Sequence, residues 1–251
     1  GNGRCGEEST FTISALRSAG IPARQVYAPF WSHCDDNHAW VEVWCDGDWH
    51  YLGACEPEAV LDKSWFTNAA SRAMMIGSRW YDRAMPDEKV IGKDGMNRII
   101  NLLGKYAKTR WITITVEDLD GTPAAGAKVR AEVMNYGEFS PIAIMEADKN
   151  GCISFETGFG SLLICAVYDG AYEEKVIDTR EDDHFTCTLG EEYEDELWVD
   201  FDMNAPEDTG RISWNITQEQ EEENNRRIAA EAEHCRRKIE KFQPLWKRCL
   251  F

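Results

Sequence analysis

Two side chains near the start of the chain have the types needed for covalent chemistry as a pair: Cys5 and His38. A thiol becomes a useful nucleophile when its thiolate is stabilised, and a helix N-terminus or a nearby imidazolium does this. Cys5 lies in Gly3-Arg4-Cys5-Gly6-Glu7. The flanking glycines let a substrate come close to the backbone, and the Cys5 amide is a candidate oxyanion donor. His38 follows the polar Asp35-Asp36-Asn37 and opens the run Ala39-Trp40-Val41-Glu42-Val43. A histidine at a strand end stands at the rim of a sheet, where a ring nitrogen can reach a thiol on a neighbouring helix terminus. Taken singly, a cysteine is more often a small buried hydrophobe and a histidine an exposed cap on its strand. Together they point to acyl transfer. His33, in a loop, and His50, inside a strand, have weaker contexts.

The elements that must position the pair follow from hydrophobic spacing. From Glu7 to Ala19 the pattern puts Phe11, Ala15 and Leu16 on one face and Gly20 supplies a left-handed stop, which predicts a helix starting at or just after Cys5. Ile21 to Tyr27 reads as a strand entered through Pro22, and His38 to Trp44 as a second. Asp46-Gly47 is a hairpin signal that returns the chain through Trp49 to Leu52. Trp65, Phe66, Met74, Met75, Ile76, Trp80 and Tyr81 are expected as further core, and Met96 to Tyr106 as a short amphipathic helix. At Arg110 the character changes. Trp111 to Val116 alternates strictly, and Ala127 to Val133, Cys152 to Phe155 and Leu162 to Val167 are strand candidates between turns such as Asp120-Gly121 and Asn150-Gly151. This predicts a small β-sandwich. A last helix starts near Thr217, with Thr217 and Gln220 at capping-box spacing. Its stripe of Ile228, Ala232, Cys235 and Ile239 is expected to dock on its own domain. The expected plan is an α+β domain over 1–108, an all-β sandwich over 109–203, and a polar linker with a C-terminal helix over 204–251.

Three segments, Gly3-Arg4-Cys5-Gly6-Glu7, Gly20-Ile21-Pro22-Ala23-Arg24-Gln25-Val26 and Asn37-His38-Ala39-Trp40-Val41-Glu42-Val43, resemble in order and spacing the transglutaminase-like superfamily. That group includes peptide N-glycanases and many microbial proteases. The resemblance covers roughly the first 60 residues and implies a papain-like α+β core with a cysteine–histidine–acid triad. Cys5 falls on the family's nucleophile and His38 on its base. The family's aspartate, four residues after a tryptophan, corresponds to Gly53, so the nearest carboxylate, Glu56, is taken as the acid. A two-residue turn at Asp46-Gly47 sets His38 opposite Cys55, whereas a three-residue turn or a bulge near Gly53 brings Glu56 opposite it. Asp36 is the rival orienter. The superfamily draws an oxyanion donor from upstream of the cysteine, and since only Gly1 to Arg4 precede it here, an absent upstream segment is expected to supply one. The stretch from Arg110 to about Gly190 resembles carboxypeptidase-regulatory or prealbumin-like β-domains in Asp120-Gly121-Thr122-Pro123 and Asp148-Lys149-Asn150-Gly151. Its Asp, Asn and Gly are read as turn residues rather than calcium ligands.

Composition limits the partners. With 45 acidic against 27 basic side chains the formal charge is -18, which repels phosphate backbones and anionic lipid. Nucleic acid is therefore not expected. No apolar run approaches the roughly 20 residues of a membrane span, and no secretory leader opens the sequence. Nine cysteines without a CxxC pair argue against a disulfide framework and favour a reducing, cytoplasmic setting. No cofactor is expected. A metal site among Cys5, His33, Cys34, His38, Cys45 and Cys55 has no matching ligand spacing. The expected function is cleavage or transfer at amide bonds of a protein, peptide or glycopeptide. The alternatives are a cross-linking transglutaminase and an inactive binding module that has lost its acid. Oligomeric state is not legible.

Overall fold

The computed structural model of the protein describes residues 3–54, 58–81, 89–190, 202–209 and 216–246. It is a mixed α+β chain, mostly sheet, with a C-terminal helix. Contacts divide it into two units: one holds the chain up to Ala23, Val41–Ser64 and the segment from Ser213, the other Arg24–Trp40 and Trp65–Ile212.

In the first unit, helix α1 spans Cys5–Ser18. Its start is fixed by Arg4, in extended conformation, whose N–H donates to Glu7 Oε2 at 2.9 Å, while Glu7 and Glu8 complement the positive end of the helix dipole. It ends where Gly20 turns left-handed at φ 81°. Gly20 N–H then reaches Arg17 O, and Ile21 N–H reaches Leu16 O at 2.9 Å. The inward line is Ser9 and Ile13, both buried, and Leu16, partly buried, at helical spacing. Phe11, expected on that face, is 76% exposed because it lies two residues off this line. Ile13 and Leu16 pack with Val41 and Val43 of β2 (His38–Cys45) and Leu52 of β3 (Asp48–Leu52). The hairpin pairs Cys45 with Asp48 through Val41 with Leu52, around a two-residue turn in which Asp46 and Gly47 both have positive φ. Helix α3, Gln218–Trp246, carries the expected stripe. It does not bury it: Ile228, Ile239 and Phe242 are each more than two-fifths exposed.

In the second unit β1 (Ala23–Ala28) pairs from Tyr27 to Gly77 of β4 (Gly77–Trp80). Beyond β4 come β6 (Asn97–Asn101) and β5 (Val90–Asp94), all antiparallel. The helix expected at Met96–Tyr106 is replaced by β6 and a single 3₁₀ turn at Leu103–Lys105. Gly95 at φ 58° closes the β5–β6 hairpin, and Ile99 and Ile100 are β-branched, which favours the strand. Asn101 Oδ1 then accepts Leu103 N–H and ends it.

Two further sheets share one core. Strand β7 (Arg110–Asp118) is flanked by antiparallel β10 (Cys152–Thr157) and parallel β13 (His184–Leu189). The second sheet runs β12 (Ala171–Asp178), β11 (Ser161–Tyr168), β8 (Lys128–Asn135), β9 (Glu138–Glu146). Alternate residues point inward: Ile112, Ile114 and Val116 from β7, Val129, Ala131 and Val133 from β8, and Leu162, Ile164 and Ala166 from β11. The acidic turns are used as turns. Asp118 Oδ1 accepts the N–H groups of Asp120 and Thr122, and Asp148 Oδ1 those of Asn150 and Cys152. Those backbone donors also hold the Asp148 carboxyl below its ordinary range.

Gly151, at φ 73°, leaves no room for a side chain: a Cβ would lie 2.5 Å from Val116 O and 3.0 Å from Ala124 N, both backbone atoms. Gly170, at φ 83°, faces open space. Gly170→Ala should therefore cost about 1 kcal/mol of stability, the left-handed penalty alone. Gly151→Ala should cost clearly more, about 3 kcal/mol, in urea unfolding.

Candidate active site

Strand β2 opens at His38, whose ring is enclosed by aromatic side chains. Its centroid lies 4.7 Å from that of Phe66, 4.8 Å from Trp65 and 5.9 Å from Trp40. Trp40 is itself oriented, since its Nε1–H donates to Tyr106 Oη at 3.0 Å. The residue is 6% exposed, and Nε2 is buried without a hydrogen-bond partner among the described residues. Burial lowers the His38 pKa to about 4, with the Asp36 charge opposing in part. At neutral pH the imidazole is uncharged.

The loop leading into His38 is held by a residue about one hundred positions later. Asn135, at the end of β8 and 1% exposed, directs Nδ2 at the carbonyl oxygens of Trp31, Cys34 and Asp36, at 2.8, 3.0 and 3.2 Å. The next residue adds a fourth link, Tyr136 N–H to Asp35 Oδ1 at 2.7 Å. Tyr136 and Gly137 take left-handed φ values of 53° and 76°, so the tight β8–β9 turn presents these donors to the loop. The sequence gives no warning of this, because Asn-Tyr-Gly reads only as a turn.

The same loop borders a cleft of about 290 Å³ shared with Val133, Met134 and Ser161. His33 there has its pKa lowered by burial and by the Arg72 charge. The Cys34 thiol is pushed up by burial and by Asp36, which disfavours a thiolate. Asp36, the rival orienter, is exposed, and its Oδ1 accepts the N–H of Asn37 at 2.8 Å, a loop carboxylate bonding its own backbone.

Cys5 is the first residue of α1, half-buried, at the positive end of the helix dipole. It belongs to the first unit and His38 to the second. Glu56, with Cys55 and Pro57, lies outside the described residues. The β2–β3 connection is the two-residue turn, so the three-residue turn that would bring Glu56 opposite His38 is not formed. A pair not foreseen in the sequence ties the segment after β3: His50 Nδ1 lies 2.6 Å from Asp62 Oδ2, and Asp62 Oδ1 accepts Tyr51 N–H. Among the described residues, Asp182, Asp183 and His184 are the group close enough to share a cation. They are exposed, and Asp182 Oδ1 already accepts two N–H groups of its own turn. No helix among the described residues is long and apolar enough to cross a membrane.

A family model described as the transglutaminase-like superfamily matches residues 1–54, a stretch that contains both Cys5 and His38. No curated protein matches the chain.

Two outcomes follow from this geometry. The unfolded chain takes up the His38 proton near pH 6.5 and the folded chain only near 4, so the unfolded state binds more protons between these values. The His38 contribution to stability is complete above pH 6.5 and is lost as pH falls towards 4. The difference between the parent and His38→Phe in urea unfolding should show this slope, and the His38 ring protons should titrate near pH 4 by NMR. Asn135→Ala removes the buried hydrogen bond to the Trp31 carbonyl, while the Cys34 and Asp36 carbonyls keep backbone donors, and should cost about 2 kcal/mol. In the same variant the amides of 31–37 should exchange faster with solvent.

Proposed function

We propose that the chain is a thiol-dependent acyl-transfer enzyme of transglutaminase-like type, acting on amide bonds of a protein, peptide or glycopeptide. Cys5 is the nucleophile, His38 the base and Glu56 the orienting acid, which with the two-residue Asp46-Gly47 turn requires a bulge near Gly53 to bring it opposite His38. The observation that supports this reading best is the match over residues 1–54, which takes in a cysteine at a helix N-terminus and a buried, neutral histidine at a strand start. On this reading residues 1–108 form the catalytic domain, 109–203 a β-sandwich of carboxypeptidase-regulatory or prealbumin-like type, and 204–251 a linker and helix.

The steps balance without a cofactor. His38 takes the Cys5 proton as Sγ attacks the carbonyl carbon, and the carbonyl electrons move onto oxygen, where backbone N–H groups at the start of α1 stabilise them. The oxyanion collapses and the C–N bond breaks. His38 passes its proton to the departing amine, which leaves a thioester on Cys5. Water or a second amine then adds to the thioester as His38 removes its proton, and the C–S bond breaks to return the thiol. Water gives a protease or amidohydrolase, and an amine gives a cross-linker. Burial keeps His38 uncharged in the resting protein, and thiolate formation nearby offsets that burial during the reaction.

Gly53 at the family's aspartate position favours a second reading, a binding module that has kept the fold and lost the chemistry. Iodoacetamide labelling followed by peptide mass spectrometry separates the two. In an enzyme, Cys5 should react at pH 6 at least about tenfold faster than the exposed Cys34, and His38→Ala should remove that advantage. Equal rates at the two cysteines, unchanged by His38→Ala, would favour the binding module.

A further inference from the structure

Helix α3 presents an apolar stripe that its own chain leaves uncovered. Ile228, Ala232, Cys235, Ile239 and Phe242 are spaced by four, three, four and three residues, the heptad seam of a coiled coil. All five are exposed, at 46% for Ile228, 48% for Ile239 and 43% for Phe242. A docking helix would bury this line. Asn224 is the one buried residue among those described in α3, and it lies beside the seam's first turn rather than on it.

We propose that α3 pairs with the α3 of a second copy of this chain, antiparallel. The charge distribution selects both partner and direction. Residues 218–231 hold five glutamates and two arginines, whereas 232–246 hold two glutamates and four basic residues. A parallel pair sets the acidic starts side by side, with Glu221 on the seam against its own copy. An antiparallel pair sets each acidic start against a basic end, and the two helix dipoles oppose.

The register follows from the seam itself. In antiparallel packing the two kinds of seam position face each other, and the registration that retains most layers centres the dyad between Glu233 and His234. Ile228 then packs on the partner's Ile239 and Ala232 on the partner's Cys235, with each layer repeated by the dyad. Phe242 covers the partner's Asn225. Beside the seam, Glu231 faces the partner's Lys238, again twice. Arg236 faces the partner's Ala229, so no like charges oppose each other at the flanks. Arg226, Arg227, Arg236 and Arg237 are engaged by Glu223 and Glu233 of their own helix.

Sedimentation equilibrium of the full chain over a concentration series tests this. The parent should move from the 28.6 kDa monomer to twice that mass as concentration rises. Ile228→Asp with Ile239→Asp should remain monomeric with unchanged helical circular dichroism, since both positions are exposed in the single chain. Glu231→Lys should weaken association at least about tenfold, and adding Lys238→Glu should restore it. In a parallel pair Glu231 faces Arg236 instead, so that second change would not restore it. A parent that is monomeric throughout, a dimer that survives the aspartates, or a failure of Lys238→Glu to restore pairing would overturn the proposal.

Discussion

A buried imidazole with one nitrogen unbonded is costly to fold, because the ring loses water on that side and gains nothing polar in exchange. Four aromatic side chains of the second unit bear on that cost at His38, whose Nε2 has no hydrogen-bond partner among the described residues. Trp40, Trp65 and Phe66 replace the lost water with aromatic contact, and Tyr106 fixes the Trp40 ring through its indole N–H. Phe66 is carried on the residue before the short helix α2, Thr67–Ala70. The result is a histidine that stays neutral well below physiological pH, its basicity weakened by burial.

The approach to His38 is set from elsewhere in the chain. One carboxamide, Asn135, supplies donors to three carbonyls of the preceding loop, and the Tyr136 N–H engages the Asp35 carboxylate. The two-sheet region is therefore part of what holds the histidine loop. Cutting the chain at the boundary expected near residue 108 would remove these donors. An apolar side chain in place of Asn135 would leave the Trp31 carbonyl without this donor.

Much of the local structure was legible because local rules decide it. The α1 start at Cys5, the Gly20 stop, the Asp46-Gly47 hairpin and the alternating β7 all depend on spacing and turn chemistry within a few residues. Phe11 and the Met96–Tyr106 segment depart from their local patterns because their outcome depends on which face packs and on the Gly95 turn. Strands β9, β12 and β13 carry no strong signal: β9 contains Pro141, and β12 is rich in charge on its exposed face. At the candidate site, Cys5 and His38 were visible as residue types in order. The aromatic enclosure was not, since Trp65 and Phe66 read only as general core. Asn135 could not be found at all, because a contact across about one hundred residues leaves no mark in a single sequence.

The proposed chemistry requires that Cys5 form an acyl-enzyme with help from His38. The direct measurement is to react the full chain briefly with p-nitrophenyl acetate at pH 7, quench in acid, and map acetylated residues by peptide mass spectrometry. An acetyl group should form on Cys5, disappear on incubation with a primary amine or water, and fail to form in His38→Ala. Acetylation spread over exposed thiols and lysines, with Cys5 no more labelled in the parent than in His38→Ala, would contradict it.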